Sequence, residues 1–190
     1  MRAVFLVGFM ASGKTTLGAE LARRLAWDFV DLDAIIETRE GQTIAEIFRS
    51  GGEGEFRLVE AAALRDLAES LSRDTVVALG GGTFAQPDNR ELLRHWPSIF
   101  LDAPVEELWQ RSLNDAKKRP LRKDDPVEFA LLHEKRLPFY RQATITVVTS
   151  GKDPTSLCGE IESILQVWDK TRFGNTAQNP RARFEIGESQ

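Results

Sequence analysis

The sequence predicts an α/β fold, a parallel sheet covered by helices on both faces. Short uninterrupted apolar runs, as expected of strands buried on both sides, alternate with amphipathic helical stretches. The first apolar run leads directly into a glycine-rich loop followed by a helical pattern. The chain has 190 residues, 42% hydrophobic and 28% charged, which fits one domain with a full core.

Ala3 to Val7 is the first strand, and Lys14 to Leu25 places Leu17, Leu21, Ala22 and Leu25 on one helical stripe. Phe29-Val30 forms a brief second strand ending at Asp31-Leu32-Asp33. Helical segments follow at about Thr43–Arg49 and Glu53–Leu71, the latter with Phe56, Val59, Ala63, Leu67 and Leu71 at helical spacing. Thr75 to Leu79 is a third strand, cut off by Gly80-Gly81-Gly82, and Ser98 to Leu101 a fourth. Pro104 opens a helix through about Leu113. Residues 114–125 carry five Lys or Arg and three Asp, too polar to bury alone. Asp125-Pro126 then pairs an N-cap with proline at the first helical position. Thr144 to Val148 is the last strand, and Asp153-Pro154 opens a helix carrying Leu157, Ile161, Ile164, Leu165 and Trp168. A single domain over 1–168 is expected, followed by a polar, aperiodic tail at 169–190 that reads as disordered.

Net charge is −4, so no global attraction to nucleic acid or anionic membrane is expected. Cys158 is the only cysteine and only His95 and His133 accompany it, which removes any intrachain disulfide and leaves a zinc or Cys–His site almost without support. Cys158 reads as a small buried helix residue. The opening apolar run is too short for a signal peptide or membrane span, and a cytoplasmic monomer is the expectation.

Gly8-Phe9-Met10-Ala11-Ser12-Gly13-Lys14-Thr15 matches G-x-x-x-x-G-K-[ST], between a buried strand and a helix as that loop requires. Such a backbone curls its N–H groups inward around an anion, and the helix adds its positive end. Lys14 then reaches the β- and γ-phosphates, and the Thr15 hydroxyl can ligate Mg²⁺. Guanine-specifying N-K-x-D and D-x-x-G motifs are absent, and the third strand ends in glycines where a motor ATPase would carry an acidic pair. A compact kinase remains. Asp31 and Asp33 stand at a strand end, where the ligand crevice of an open parallel sheet lies; capping of the next helix is the competing explanation. Arg57 has Glu60 one turn away to orient it, and Arg136 closes another helix. Taken singly, either arginine suits a surface ion pair.

Together these pieces resemble the shikimate kinase family over about residues 1–168. The resemblance rests on G-F-M-A-S-G-K-T, D-L-D at Asp31 and Asp33, G-E-G-E-F-R with Arg57, L-G-G-G at Gly80 to Gly82, K-R-P-L around Arg119 and K-R-L-P-F-Y around Arg136. It implies a three-layer P-loop kinase fold with five parallel strands in order 2-3-1-4-5. It also implies transfer of the γ-phosphate of ATP to the 3-hydroxyl of shikimate in aromatic amino-acid biosynthesis, with Mg²⁺ as cofactor. Carried over by position, Ala11, Ser12, Gly13, Lys14, Thr15 and Thr16 would hold the ATP phosphates. Arg111 and Lys152 would flank adenine, and Asp33, Arg57, Gly80, Gly81, Gly82 and Arg136 would hold shikimate. Lys14, Asp33 and Arg119 would be catalytic, with Thr15 on the metal directly and Asp31 through water. Residues 114–125 would form a closing lid, more basic here because Leu121-Arg122 stands where relatives often have two leucines. The tail has no counterpart. A kinase for gluconate or a nucleoside monophosphate shares the loop and lid without the full motif set, and a kinase-like protein that binds without turnover conflicts with the intact Lys14, Thr15, Asp33 and Arg119.

Overall fold

The computed structural model describes residues 3–113 and 125–173, with side chains as far as Val167. Five parallel strands, β1 (Ala3–Val7), β2 (Asp28–Asp31), β3 (Thr75–Ala78), β4 (Ser98–Asp102) and β5 (Ile145–Val148), form one sheet in the order β2-β3-β1-β4-β5. This is the order implied by the resemblance. Central β1 pairs with β3 (Ala3 opposite Thr75) and with β4 (Phe5 opposite Ser98).

Because side chains alternate across a strand, β1 feeds two cores. Ala3, Phe5 and Val7 face a layer built from α2 (Leu32–Glu40), α3 (Ile44–Ser70), α4 (Pro87–Leu93), α5 (Val105–Leu113) and α6 (Pro126–Tyr140). Val4 and Leu6 face α1 (Lys14–Leu25) and α7 (Pro154–Phe173), where Cys158 lies fully buried among Leu17, Leu21 and Ile161. The expected stripes account for this packing: Leu17, Leu21 and Ala22 on α1, and Phe56, Ala63 and Leu67 on α3, are buried.

The two segments expected at 43–49 and 53–71 are both present in α3 and are separated at Gly52, whose φ of 73° and ψ of −173° interrupt the helical path. A reciprocal capping box between Thr43 and Glu46 starts this helix. Helices α2 and α4 were not foreseen, and α7 runs on to Phe173, past the expected domain boundary at 168. The tail from 174 onward lies outside the described residues. No helix among the described residues is long and apolar enough to cross a membrane.

The register gathers the functional loops at one edge of the sheet. Ala78 of β3 lies opposite Asp31 of β2 on one side and Leu6 of β1 on the other. The chain leaves β1 into the phosphate loop, β2 into Asp31 to Asp33, and β3 into Gly80 to Gly82. All three therefore emerge at the carboxyl edge, where open α/β sheets bind ligands.

Candidate active site

The phosphate loop runs from β1 into α1, with Gly13 as the helix N-cap. Having no side chain, Gly13 leaves the first-turn N–H groups of α1 free of side-chain caps. Lys14 is buried to 6% exposure, and its ammonium donates to the Gly8 carbonyl (2.9 Å), the Phe9 carbonyl (2.8 Å) and Ser12 Oγ (3.3 Å). The loop thus holds its own cation at its centre. Thr15 and Thr16 are exposed on the first turn of α1. Thr15 Oγ1 donates to Asp31 Oδ2 at 2.7 Å, and Asp31 Oδ1 accepts from the Asp33 backbone N–H at 3.0 Å. Asp31 therefore both caps α2 and reaches the phosphate loop, so the two explanations of this carboxylate coexist.

Ala11 sits at φ 61°, in the left-handed region. A Cβ there meets the adjoining backbone, at a cost of about 1–2 kcal/mol. Ala11→Gly should relieve part of it, offset by the greater freedom of glycine in the unfolded chain. The expected gain is about 1 kcal/mol, a rise in Tm of roughly 2–4 °C. Thermal unfolding of the two proteins under identical buffer checks this; a lower Tm in the glycine variant would contradict it.

Beside the loop, α3 and the Gly80–Gly82 segment build a pocket around Arg57. Arg57 Nη1 donates to Glu60 Oε2 and Nη2 to Glu53 Oε1, both at 2.8 Å. Glu60 is buried, and its other oxygen accepts from Thr83 Oγ1 at 2.6 Å. Burial pushes the Glu60 carboxyl above its usual range, opposed by the Arg57 charge and the Thr83 hydrogen bond. Burial also lowers Arg57, but Glu60 and Glu53 more than offset this and hold the guanidinium above its ordinary value. Arg57 Nε is buried and has no hydrogen-bond partner among the described residues, a donor that protein interiors seldom leave unpaired.

The glycine run makes room for these charges. A Cβ on Gly82 would lie 2.3 Å from Arg57 Nη2, and one on Gly80 would lie 2.8 Å from Asp33 Oδ1 and 2.9 Å from Glu60 Oε1. Any side chain at Gly80 would thus separate the two carboxylates from the strand end. Gly81 contributes its carbonyl, which accepts from Arg136 Nη1 at 3.3 Å and from the Tyr140 hydroxyl. Arg136 is buried to 7% exposure and its guanidinium carbon lies 5.8 Å from the Phe9 ring centroid, linking the glycine segment to the phosphate loop.

Tyr140 is the only tyrosine in the chain, and burial pushes its phenol up to about 12 from 10.0. The folded state therefore keeps this proton between pH 10 and 12 where the unfolded chain releases it. This contribution, about 2–3 kcal/mol, is whole below pH 10 and lost as pH rises through about 12. Because no other tyrosine absorbs, tyrosinate absorbance in an alkaline titration reads this group alone. It should appear only near pH 12 or with unfolding, and a reversible transition near 10.0 in the folded protein would contradict the burial of the hydroxyl.

The structure brings together Lys14, Thr15, Asp31, Asp33, Arg57, Gly80, Gly81, Gly82 and Arg136. Arg111 and Lys152 instead form ion pairs of their own, Arg111 Nη2 with Glu107 at 3.3 Å and Lys152 Nζ with Glu160 at 2.5 Å. An adenine role for them rests on the resemblance alone. Arg119 and the expected lid, up to residue 124, lie outside the described residues. The sequence reading missed Glu53 and Thr83 as partners of this pocket. Glu53 had a signal in its i,i+4 spacing to Arg57, whereas Thr83 had none.

A phosphate loop on the central strand, beside a half-buried guanidinium that suits an anionic acceptor, defines a P-loop small-molecule kinase. The Shikimate kinase family model matches residues 10–166. A shikimate kinase from Persephonella marina is 41% identical over 162 residues, covering 85% of this chain and 97% of the relative. The solved shikimate kinase of Acinetobacter baumannii, in complex with shikimate, is 32% identical with a TM-score of 0.79, over 94% of this chain and 96% of that one. The chain belongs to the shikimate kinase family. A gluconokinase from Sinorhizobium meliloti is similar at 18% identity and a TM-score of 0.61, over 92% of this chain and 97% of that one; at that distance the likeness concerns the fold alone.

Proposed function

We propose that this chain transfers the γ-phosphate of ATP to the 3-hydroxyl of shikimate, yielding shikimate 3-phosphate and ADP. The observation that carries this reading is Arg57, a guanidinium that buried Glu60 fixes and whose buried Nε has no partner among the described residues. A carboxylate substrate would satisfy that donor, and planar pairing with a guanidinium fixes orientation as well as affinity. Arg136, packed on Phe9 of the phosphate loop, is the second cation for the same acid. Asp33, beside Gly80, holds the ring hydroxyls and takes the proton of the attacking 3-hydroxyl as its oxygen bonds to the γ-phosphorus. The bond from that phosphorus to the β–γ bridging oxygen breaks, and ADP leaves.

Lys14 and the N-terminal amides of α1 neutralise the phosphates, and Arg119, which lies outside the described residues, would add charge there as the resemblance implies. Mg²⁺ fits the donors present. The Thr15 hydroxyl and the Asp31 carboxylate lie within hydrogen-bond distance, and no cluster of three or more His, Cys, Asp or Glu suited to a fully protein-ligated ion occurs among the described residues. Mg²⁺ favours such sparse sites because it keeps several waters and binds phosphate oxygens. Thr15 would hold it directly and Asp31 through water, and the ion would supply charge neutralisation at the β- and γ-phosphates.

ADP release by the purified protein should require both shikimate and Mg²⁺, and shikimate analogues lacking the carboxylate should be poor acceptors. Faster turnover with gluconate or AMP than with shikimate would overturn the assignment.

A further inference from the structure

We propose that Glu53 is an internal competitor for the substrate carboxylate, occupying part of the Arg57 edge that the substrate needs and so setting the affinity for the acid. The proposal rests on the function proposed above. Arg57 presents two edges able to pair side by side with a carboxylate, one made by Nη1 and Nη2 and one by Nε and Nη2. Nη1 is held at 2.8 Å by Glu60, whose side chain is 1% exposed and anchored on its far oxygen by Thr83, so that edge is closed. The edge left for a ligand joins Nε, which has no partner among the described residues, to Nη2. Glu53 Oε1 lies 2.8 Å from that same Nη2.

The two glutamates differ in their freedom to leave. The Glu53 side chain is 53% exposed, so water can receive its carboxylate when it swings away. Its backbone is bracketed by Gly51, Gly52 and Gly54, directly after the break at Gly52 with φ 73°. A Cβ at Gly54 would meet nothing within 4 Å, so packing does not demand glycine there. A glycine in that place weakens the helix relative to alanine and loosens the turn that carries Glu53. Glu53 thus has the charge of the substrate's acid group, the same partner atom, and a hinge beneath it. Shikimate must displace it, and the displaced contact subtracts from the affinity of the substrate.

The test is calorimetric titration of the full chain and of Glu53→Gln and Glu53→Asp with shikimate and with its carboxamide. Glutamine removes the competing charge, and aspartate keeps the charge but shortens the reach. Both variants should bind shikimate tighter by about 2- to 5-fold, the range expected from releasing a half-exposed ion pair. The carboxamide, whose single acceptor oxygen can pair with Nε and leave Nη2 to Glu53, should gain less from either change than shikimate does. Unchanged or weaker shikimate binding in Glu53→Gln would overturn the proposal, the latter making Glu53 a support for Arg57. Tightening in Glu53→Gln with wild-type behaviour in Glu53→Asp would also overturn it, since long-range charge would then replace the contact. Turnover of shikimate by the unaltered protein is measured first, so failure of the proposed function is recognised separately.

Discussion

Arg57→Ala should weaken shikimate binding by about 2–5 kcal/mol, roughly 30-fold to several thousand-fold, while leaving ATP affinity near its original value. The size follows from burial, since the Arg57 side chain is 14% exposed and its pairing with a ligand carboxylate would be shielded from water. The same substitution strips Glu60 of the charge that opposes its desolvation. Glu60 should then take up a proton more readily, its pKa in the folded protein rising further above the unfolded value. With a carboxyl shifted upward, stability declines as pH rises through that interval, so the variant should melt lower at neutral pH than under mildly acidic conditions. Arg57→Ala/Glu60→Gln separates the two effects: it should recover most of the lost Tm and none of the shikimate affinity. Recovery of affinity, or a matching loss of ATP binding, would show that Arg57 does not contact the acid.

Asp33→Asn should depress turnover by about 10²–10⁴-fold, the usual worth of a positioned general base. Nucleotide affinity should hold, because Asp31 contacts Asp33 through its backbone N–H, which asparagine retains, and Thr15 bonds Asp31 directly. The amide is close in shape to the carboxylate, so the cramped space in front of Gly80 accommodates it. Single-turnover phosphoryl transfer, combined with titration of ATP alone, resolves the two quantities. Equal falls in ATP affinity and in turnover would place Asp33 among the nucleotide contacts and leave the proton without its acceptor.

The parts legible in the sequence were those written in consecutive residues. The phosphate loop is a contiguous string, and its flanking strand and helix carry their own apolar patterns. Residues 51–54 signalled an interruption because glycines crowd there, and Gly52 is where the helical path fails. Helix α2 was obscured because only Leu32 and Ile36 of its nine residues are buried, too few to mark a stripe. The seven residues of α4 are shorter than the window over which periodicity can be read, although Pro87 at its start was a usable sign. The pocket was less legible still. Glu60 and Thr83 meet at 2.6 Å from positions 23 apart, and the need for Gly80 and Gly82 appears only when Asp33 and Arg57 are folded against them. Turn spacing along one helix is visible in sequence, whereas packing between a helix and a strand end is not.

The central place of β1 has a consequence for how the chain acquires its shape. Ala3 pairs with Thr75 and Phe5 with Ser98, and all five residues of the strand are buried. None of those pairings can form until the later strands exist. At about 5–20 residues per second, the roughly seventy residues from β1 to β3 take roughly 4–14 s to synthesise, during which the apolar strand has no sheet to join. Pairings this distant along the chain also make loop closure the slow event on refolding. The strand that carries the phosphate loop is therefore the segment through which a nascent chain is most exposed to self-association, and its incorporation between β3 and β4 is the step that makes the nucleotide site.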